Sequence, residues 1–284
     1  MKILILGHKG MLGSDLLLRL YLDHEVTGRD VDDFDLTSES SCRKVVEEAM
    51  PQVVINAAAY TNVDGAEANR DLCFGVNALG VSHMARVCRD HRIKLVHFST
   101  DYVFDGAKGD LYEEDDLPNP INVYGAAKQE GERLLKTHTD DFLLIRTAWL
   151  YGRNGKNFVR TILEKAKSEP KLTVVDDQIG SPTYTWDLAG AVKLLIEGGY
   201  GGTFHITNRG LCSWHAFARK ILLYAGLPDI VVEPATSNDS TRPAKRPLFS
   251  GLSNKKFTDA TGKTLRVWQL ALHDYITHVD HSHR

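Results

Sequence analysis

The chain has 284 residues, 43% of them hydrophobic, enough to bury a large core in one or two domains. Its 34 Lys and Arg against 37 Asp and Glu leave a formal charge of −3, which excludes a global basic field for nucleic acid. Cys42, Cys73, Cys88 and Cys212 are scattered with no C-x-x-C pair, and no apolar run approaches the roughly 18 residues of a membrane span. The first residues already read as a core strand, so a cytoplasmic protein with no structural zinc and no cleaved targeting peptide is expected.

MKILILG runs apolar into the glycine-rich GHKGMLG, and SDLLLRLYL follows with helical spacing through Leu22. Strand, glycine turn and helix are the setting that a dinucleotide fingerprint requires. Gly7 permits a tight turn, Gly10 lets the backbone approach a pyrophosphate, and Gly13 lets helix pack closely on strand. The first helical turn offers free N–H groups and a partial positive charge to phosphate. Gly7, Lys9, Gly10, Met11, Leu12 and Gly13 are therefore cofactor candidates, although the spacing is G-x2-G-x2-G and a plain turn is the competing reading.

Next come strand HEVTGRD, a helix from Ser38 to Ala49, strand QVVINAAAY and a helix over roughly Asp71 to His91. Strand KLVHFSTDYVF, a helix from Tyr124 to about Thr137 and strand FLLIRTAWLYG follow. This alternation implies βαβ units and a parallel sheet with right-handed crossovers, an α/β Rossmann-type doubly wound fold over residues 1–150. Ligands in such sheets bind at the carboxyl ends of the strands. Gly7, Ala57 to Tyr60, Thr100 and Thr147 to Trp149 fall at those ends. Ala57, Ala58 and Ala59 are small enough to pass close to a cofactor, with strand packing as the alternative.

The second half is less regular. A helix over Phe158 to Ser168, a short strand LTVVDDQ and a Gly-Ser-Pro-Thr turn are expected. Helix TWDLAGAVKLLIEG and strand GGTFHIT then return residues 184–207 to the first domain. Residues 151–183 and 208–284, the latter broken by Pro228, Pro234, Pro243 and Pro247, are expected to form a smaller substrate lobe.

Tyr124 and Lys128 lie four residues apart, so one helical turn puts them on one face. A nearby cation favours an ionised phenol, and such a Tyr can hand a proton to a developing alkoxide. Thr100, ending the preceding strand, offers a hydroxyl for the reacting oxygen. By itself the spacing is common to ordinary exposed helix pairs.

GHKGMLG, NAAAYTNVDGAE, FSTDYVFDG, NVYGAAKQEGE, RTAWLYG, NFVRTIL and VVDDQIGSPTYTWDLA occur in this order. Together they resemble the dTDP-4-dehydrorhamnose reductases, a family of extended short-chain dehydrogenases/reductases, over nearly the whole chain. The resemblance implies NAD(P)H-dependent reduction of the C4 ketone of a dTDP-6-deoxy-4-ketohexose, giving dTDP-L-rhamnose. Tyr124 would then be the general acid, Lys128 would lower its pKa and bind the nicotinamide ribose, and Thr100 would orient the carbonyl oxygen.

The same resemblance places Asp35 and Leu36 beside the adenine and Asn77 near the cofactor, where it could equally serve backbone groups. It assigns Thr61, Val63, Asp64, Thr100, Asp101, Trp149 and Asn157 to the substrate, with Gln178 and Thr183 lining the cleft. Arg246 and Ser250, in AKRPLFSGL, match a stretch that holds the diphosphate, although Phe249 stands where Asn is expected. Arg29 and Asp30 end the second strand together, one suited to a 2′-phosphate and the other to a 2′-hydroxyl. NADP(H) is favoured, with NAD(H) also open.

The acidic run Glu113 to Asp116 reads as a solvated loop, and His273, His278, His281 and His283 as a polar helix end and tail. No metal ligands are assigned, and a magnesium-bridged dimer, seen in some relatives, has no located ligands here. Partners are expected to be a small nucleotide-sugar and, at most, a second copy of the chain, with no nucleic acid or membrane. Reduction or epimerisation of another nucleotide-4-ketosugar is the alternative within enzymes. A binding subunit resembling the regulatory subunit of methionine adenosyltransferase is the alternative outside them.

Overall fold

The structure, a computed structural model, describes residues 1–239 and 241–279. Its centre is a six-stranded sheet made of β1 (Lys2–Leu6), β2 (Glu25–Arg29), β3 (Val53–Asn56), β4 (Lys94–Thr100), β5 (Phe142–Thr147) and β10 (Gly202–His205). All neighbours pair in parallel, in the order β10-β5-β4-β3-β1-β2. The inner strands β1, β3, β4 and β5 are buried on both faces because helices cover both. Ile3, Ile5, Ile55, Val96 and Ile145 face α1 (Met11–Leu20) and α8 (Thr185–Glu197). Leu4, Leu6, Val54, Leu95 and Leu144 face α2 (Glu39–Ala49) and α5 (Gly80–His91). The sheet reverses its strand order between β1 and β3, which opens the crevice above their carboxyl ends.

Between β3 and α5 lie α3 (Val63–Ala68), α4 (Arg70–Phe74) and a π-helical turn, Gly75–Leu79. The single helix expected from Asp71 to His91 is thus interrupted. A π-turn accommodates an extra residue in the helix, and here it presents the Asn77 side chain to the backbone of Tyr60. The short α3 went unread because it has no apolar period; the Asn62 side chain starts it by accepting from Gly65 N at 2.9 Å. The catalytic helix α6 spans Val123–His138.

The remaining chain forms β6 (Leu150–Tyr151), α7 (Phe158–Ala166), β7 (Lys171–Val175), β8 (Ile179–Gly180) and β9 (Thr183–Tyr184). After β10 come β11 (Cys212–Ser213), α9 (Trp214–Tyr224), β12 (Val231–Ala235), α10 (Lys255–Thr261) and α11 (Trp268–Val279). α8 packs on α1 and β10 pairs with β5, so this stretch belongs physically to the large sheet. A separate core gathers Tyr151, Val159, Ile162, Phe217, Ile221 and Trp268 from α7, α9, α11 and their short strands. Among the described residues no helix is long and apolar enough to cross a membrane.

Candidate active site

At the first turn the backbone does the shaping. Gly7 has φ +76°, and a Cβ there would meet Ala58 N at 2.8 Å. A Cβ on Gly13 would lie 2.1 Å from the Gly7 carbonyl oxygen, so only glycine lets α1 start against the turn. Gly10 caps α1 without a side-chain hydrogen bond, and the first turn carries no acidic residue. The helix N–H groups are thereby left for an outside acceptor, which fits a dinucleotide pyrophosphate.

Several cofactor candidates act through backbone or support. Leu12 and Leu36 are core residues, so neither side chain faces a ligand. Lys9 turns its ammonium to Asp32 at 2.7 Å. Asp35 accepts from Thr37 N at 2.8 Å and from its hydroxyl at 2.7 Å, which holds its carboxyl below the usual range. Asn77 donates to Tyr60 O and accepts from Tyr60 N, both at 2.9 Å. It therefore clamps the Ala57–Tyr60 segment instead of offering its amide to the cofactor. Asp30 accepts from Lys9 N and Val31 N at 2.9 Å, whereas the Arg29 side chain donates to Gly28 O at 3.1 Å and lies 3.9 Å from Glu48.

The catalytic candidates meet where β4 ends and α6 begins. Asn122 caps α6 by accepting from Gly125 N at 2.7 Å. Gly125 has no Cβ to strike the Tyr102 carbonyl oxygen, which such an atom would approach to 2.1 Å, so α6 lies directly on the turn after β4. This brings Tyr124 beside Thr100, Asp101 and Tyr102, its ring edge-on to Tyr102 at 6.1 Å. The Thr100 hydroxyl donates to Asp101 Oδ1 at 2.9 Å and accepts from Tyr102 N at 3.1 Å. Asp101 is 2% exposed, and burial raises its pKa to about 6 against the pull of Ser250 and Thr100.

Lys128 lies one turn along α6 from Tyr124 and is held from the strand side. Its Nζ donates to Phe98 O at 2.6 Å and lies 3.3 Å from His97 Nε2, so two of its donor directions face the strand. Burial and the Asp101 carboxylate push the Tyr124 phenol up, while the Thr100 hydroxyl pulls the other way. Lys128 itself is pushed down to about 8 by burial, opposed by Glu132 and Cys73. The charge thus sits below the phenol as a buried, weakly held ammonium. One turn further along α6, Glu132 binds Arg146 of β5 through both carboxylate oxygens, at 2.9 and 2.7 Å.

A cavity of about 560 Å³ opens beside this cluster, between Tyr102, Phe158, Gln178, Trp214, Arg242 and Arg246. Arg246 and Asp64, assigned separately to substrate, face each other as a bidentate pair at 2.7 and 2.8 Å. Val63 and Asp64 form the first turn of α3, and Thr61 is exposed beside them. Trp149 has φ +49°, a left-handed conformation unusual for a bulky residue, and stacks on Trp214 at 3.5 Å. Asn157 is instead the cap of α7, accepting from Arg160 N at 3.1 Å and donating to Gly152 O at 3.0 Å. Thr183 is fully buried against Ser181 O, outside the cleft, while Gln178 lines the cavity and donates to Ser237 Oγ. Ser250 is buried next to Asp101.

Sequence reasoning missed Tyr102, Phe158, Trp214 and Arg242, which reach the cavity from separate segments with no shared motif. It also took Glu114 for part of a solvated run. The Glu114 carboxylate accepts from His205 N at 2.7 Å, tying the loop to the edge strand. His273 packs edge-on to Tyr224 and His278 pairs with Asp274; His281 and His283 lie outside the described residues. Among the described residues no group of three or more His, Cys, Asp or Glu side chains is arranged to hold a metal.

Comparison with known proteins places this geometry. The model of the RmlD substrate binding domain family matches residues 1–281. The chain belongs to this family. It is 39% identical over 271 residues to the dTDP-4-keto-6-deoxy-D-glucose reductase of Streptomyces niveus, covering 95% of this chain and 94% of that protein. A dTDP-4-dehydrorhamnose reductase from Clostridium acetobutylicum superposes with TM-score 0.94 at 41% identity, over 98% of this chain and 99% of that one. The Bacillus anthracis dTDP-4-dehydrorhamnose reductase in complex with NADP gives TM-score 0.94 at 37% identity, over 97% and 98% of the two chains. Like these RmlD relatives, the chain is an NAD(P)H-dependent oxidoreductase on the Rossmann-like fold, with an added C-terminal strand and helix region.

Proposed function

We propose that the chain reduces the C4 ketone of dTDP-4-dehydrorhamnose, with Tyr124 as proton donor, to give dTDP-L-rhamnose. The observation that carries this is the convergence of Thr100, Tyr124 and Lys128 at the end of β4, beside a cavity of about 560 Å³ large enough for a nucleotide-sugar. A bound reduced nicotinamide supplies the hydride to the ketone carbon. Charge then develops on the ketone oxygen, which the Thr100 hydroxyl and Tyr124 phenol are placed to receive. Tyr124 transfers its proton to that oxygen, a step worth roughly 10²–10⁴-fold in such catalysis. The Lys128 ammonium beneath stabilises the phenolate left behind. Trp149, Arg246 and Asp64 form the substrate wall, the last two as a charge pair that a diphosphate can enter by competing for the Arg fork.

NADP(H) is the preferred cofactor in this reading. The Asp30 carboxylate is engaged by two backbone N–H groups, which weakens it as a ribose-hydroxyl acceptor and leaves Arg29 as the side chain suited to a 2′-phosphate. Four buried free thiols suit a reducing cytoplasm, where the chain would act as a monomer or homodimer. We read residues 1–150 with 184–207 as one unit and 151–183 with 208–284 as the other; the core around Tyr151, Phe217 and Trp268 supports this reading, while Phe257 packs into the first core and Tyr184 into the second.

The experiment is a spectrophotometric assay of NADPH and NADH oxidation against dTDP-, UDP- and GDP-4-ketosugars. Fastest oxidation of NADPH with dTDP-4-dehydrorhamnose is expected. A different best sugar would reassign the substrate. No oxidation with any of them would favour a binding role.

A further inference from the structure

β4 carries an out-of-pattern residue. Leu95, His97 and Ser99 share the sheet face covered by α5 and α6, which is leucine and valine at its amino end and turns polar, with Asn56, His97, Ser99 and Arg146, toward the carboxyl ends of the strands. His97 is 1% exposed, in the middle of that face. A buried imidazole is unfavourable there unless both ring nitrogens find partners. Here Nε2 lies 3.3 Å from Lys128 Nζ and accepts from it, so Nδ1 carries the proton; Asn56 Nδ2, 3.3 Å away, is itself a donor, and the Nδ1–H donates to the Asn56 backbone carbonyl. Asn56 is its direct neighbour across the β3–β4 pair, is also 1% exposed, and accepts from Ala58 N at 3.2 Å. The row therefore runs from the cofactor-facing alanine segment, through Asn56 and His97, to Lys128.

We propose that His97 is a positioning residue for the reaction: its neutral imidazole, together with Phe98 O, holds the Lys128 ammonium one turn below Tyr124. An ammonium has three donors. Phe98 O takes one and the Nε2 lone pair a second, which leaves one for the cofactor side and fixes its direction. Burial and the facing Lys128 keep His97 far below its ordinary pKa, so its charge does not compete with the lysine. The other titratable groups facing Lys128 are Glu132 from its own helix and Cys73 from α4. Glu132 is engaged by Arg146, and Cys73 is a buried thiol held up by desolvation. His97 is the neutral acceptor among them. Without it the ammonium loses a hydrogen bond made to its charged form, and its deprotonation becomes easier.

The inference rests on the reading of Tyr124 and Lys128 as the proton-delivery pair, so its test has an arm independent of turnover. In the full chain labelled with 13C at lysine Cε, the Lys128 signal is assigned by its loss in Lys128→Met and followed through a pH titration. His97→Leu should lower its midpoint by about one unit, a tenfold change in the protonation constant. His97→Gln should restore most of that shift, because the Gln amide reaches the Nε2 position. His97→Asn should not, because its amide stops at Nδ1. Turnover near neutral pH should follow the same order, with about tenfold losses in the Leu and Asn variants, recovery in Gln, and cofactor KM changed less than about twofold.

An unshifted Lys128 midpoint in His97→Leu, or Gln and Asn variants that behave alike, would overturn the proposal. If His97→Leu does not fold, the Gln and Asn pair still decides it. A wild-type chain that turns over no ketosugar would sink the reductase reading, while the titration would still judge His97.

Discussion

The turn after β1 and the face of α6 meet at one sheet edge but are made of different material. The turn is backbone: Gly7 in the left-handed region, Gly13 against the Gly7 carbonyl, and uncapped N–H groups at Gly10. The α6 face is buried side chain: Lys128 at 2%, Glu132 at 3%, with Arg146 of β5 at 1% exposure. A site of backbone tolerates no added atoms but holds no charge that must be paired. A site of buried charge tolerates shape changes better than the loss of any partner, because each ion depends on its neighbours.

Perturbing each end separately sharpens this contrast. Tyr124→Phe should reduce turnover about a thousandfold, within the range of a lost general acid, while leaving cofactor affinity near normal in a fluorescence titration. Glu132→Gln should cost about 3 kcal/mol or more in denaturant unfolding, because Arg146 is left buried without its counter-charge. Gly13→Ala should cost about 1–3 kcal/mol and abolish measurable cofactor binding, the reverse pattern to Tyr124→Phe, since the added Cβ meets backbone that cannot yield. If both variants lost cofactor and turnover equally, the two ends would not be separable.

Asp101 gives a pH-dependent version of the same comparison. Its folded pKa of about 6 lies above the unfolded value of 3.8. Below 3.8 both states hold the proton; between 3.8 and 6 the unfolded chain releases it first, so stability falls as pH rises through that window. Asp101→Asn removes this penalty and should stabilise the chain by about 3 kcal/mol above pH 6, with the gain vanishing near pH 4 by thermal or denaturant unfolding. The smallest effect is expected at the rim of the turn. Arg29→Ala should raise the KM for NADPH about tenfold and leave that for NADH little changed, since one exposed phosphate contact is worth about 1.4 kcal/mol.

Much of the sheet was legible because its signal is local. Four strands that read as largely apolar runs, β1, β3, β4 and β5, spaced by amphipathic helices, dictate a parallel sheet whatever lies between them. The glycines of the first turn are equally local, since a left-handed φ and a close approach leave no other residue available. The short α3 and the π-turn at Gly75–Leu79 were not, because a side-chain cap and a clamp from Asn77 to Tyr60, seventeen residues apart, create them. Asn157 and Thr183 looked like cleft residues for the same reason: their motif places them near the site, while their hydrogen bonds turn one into a helix cap and bury the other.

By itself the sequence determined the sheet, the phosphate turn and the presence of Tyr124, Lys128 and Thr100 on neighbouring elements, because periodicity and spacing act within a few residues. Only the tertiary structure decided what the charges do. Whether Lys128 addresses the phenol or the strand, whether Arg246 waits for a diphosphate or pairs with Asp64, and whether Trp149 finds Trp214 depend on groups brought together from distant parts of the chain. Charge and stacking are settled by distance in space, and distance in space is what a linear pattern does not carry.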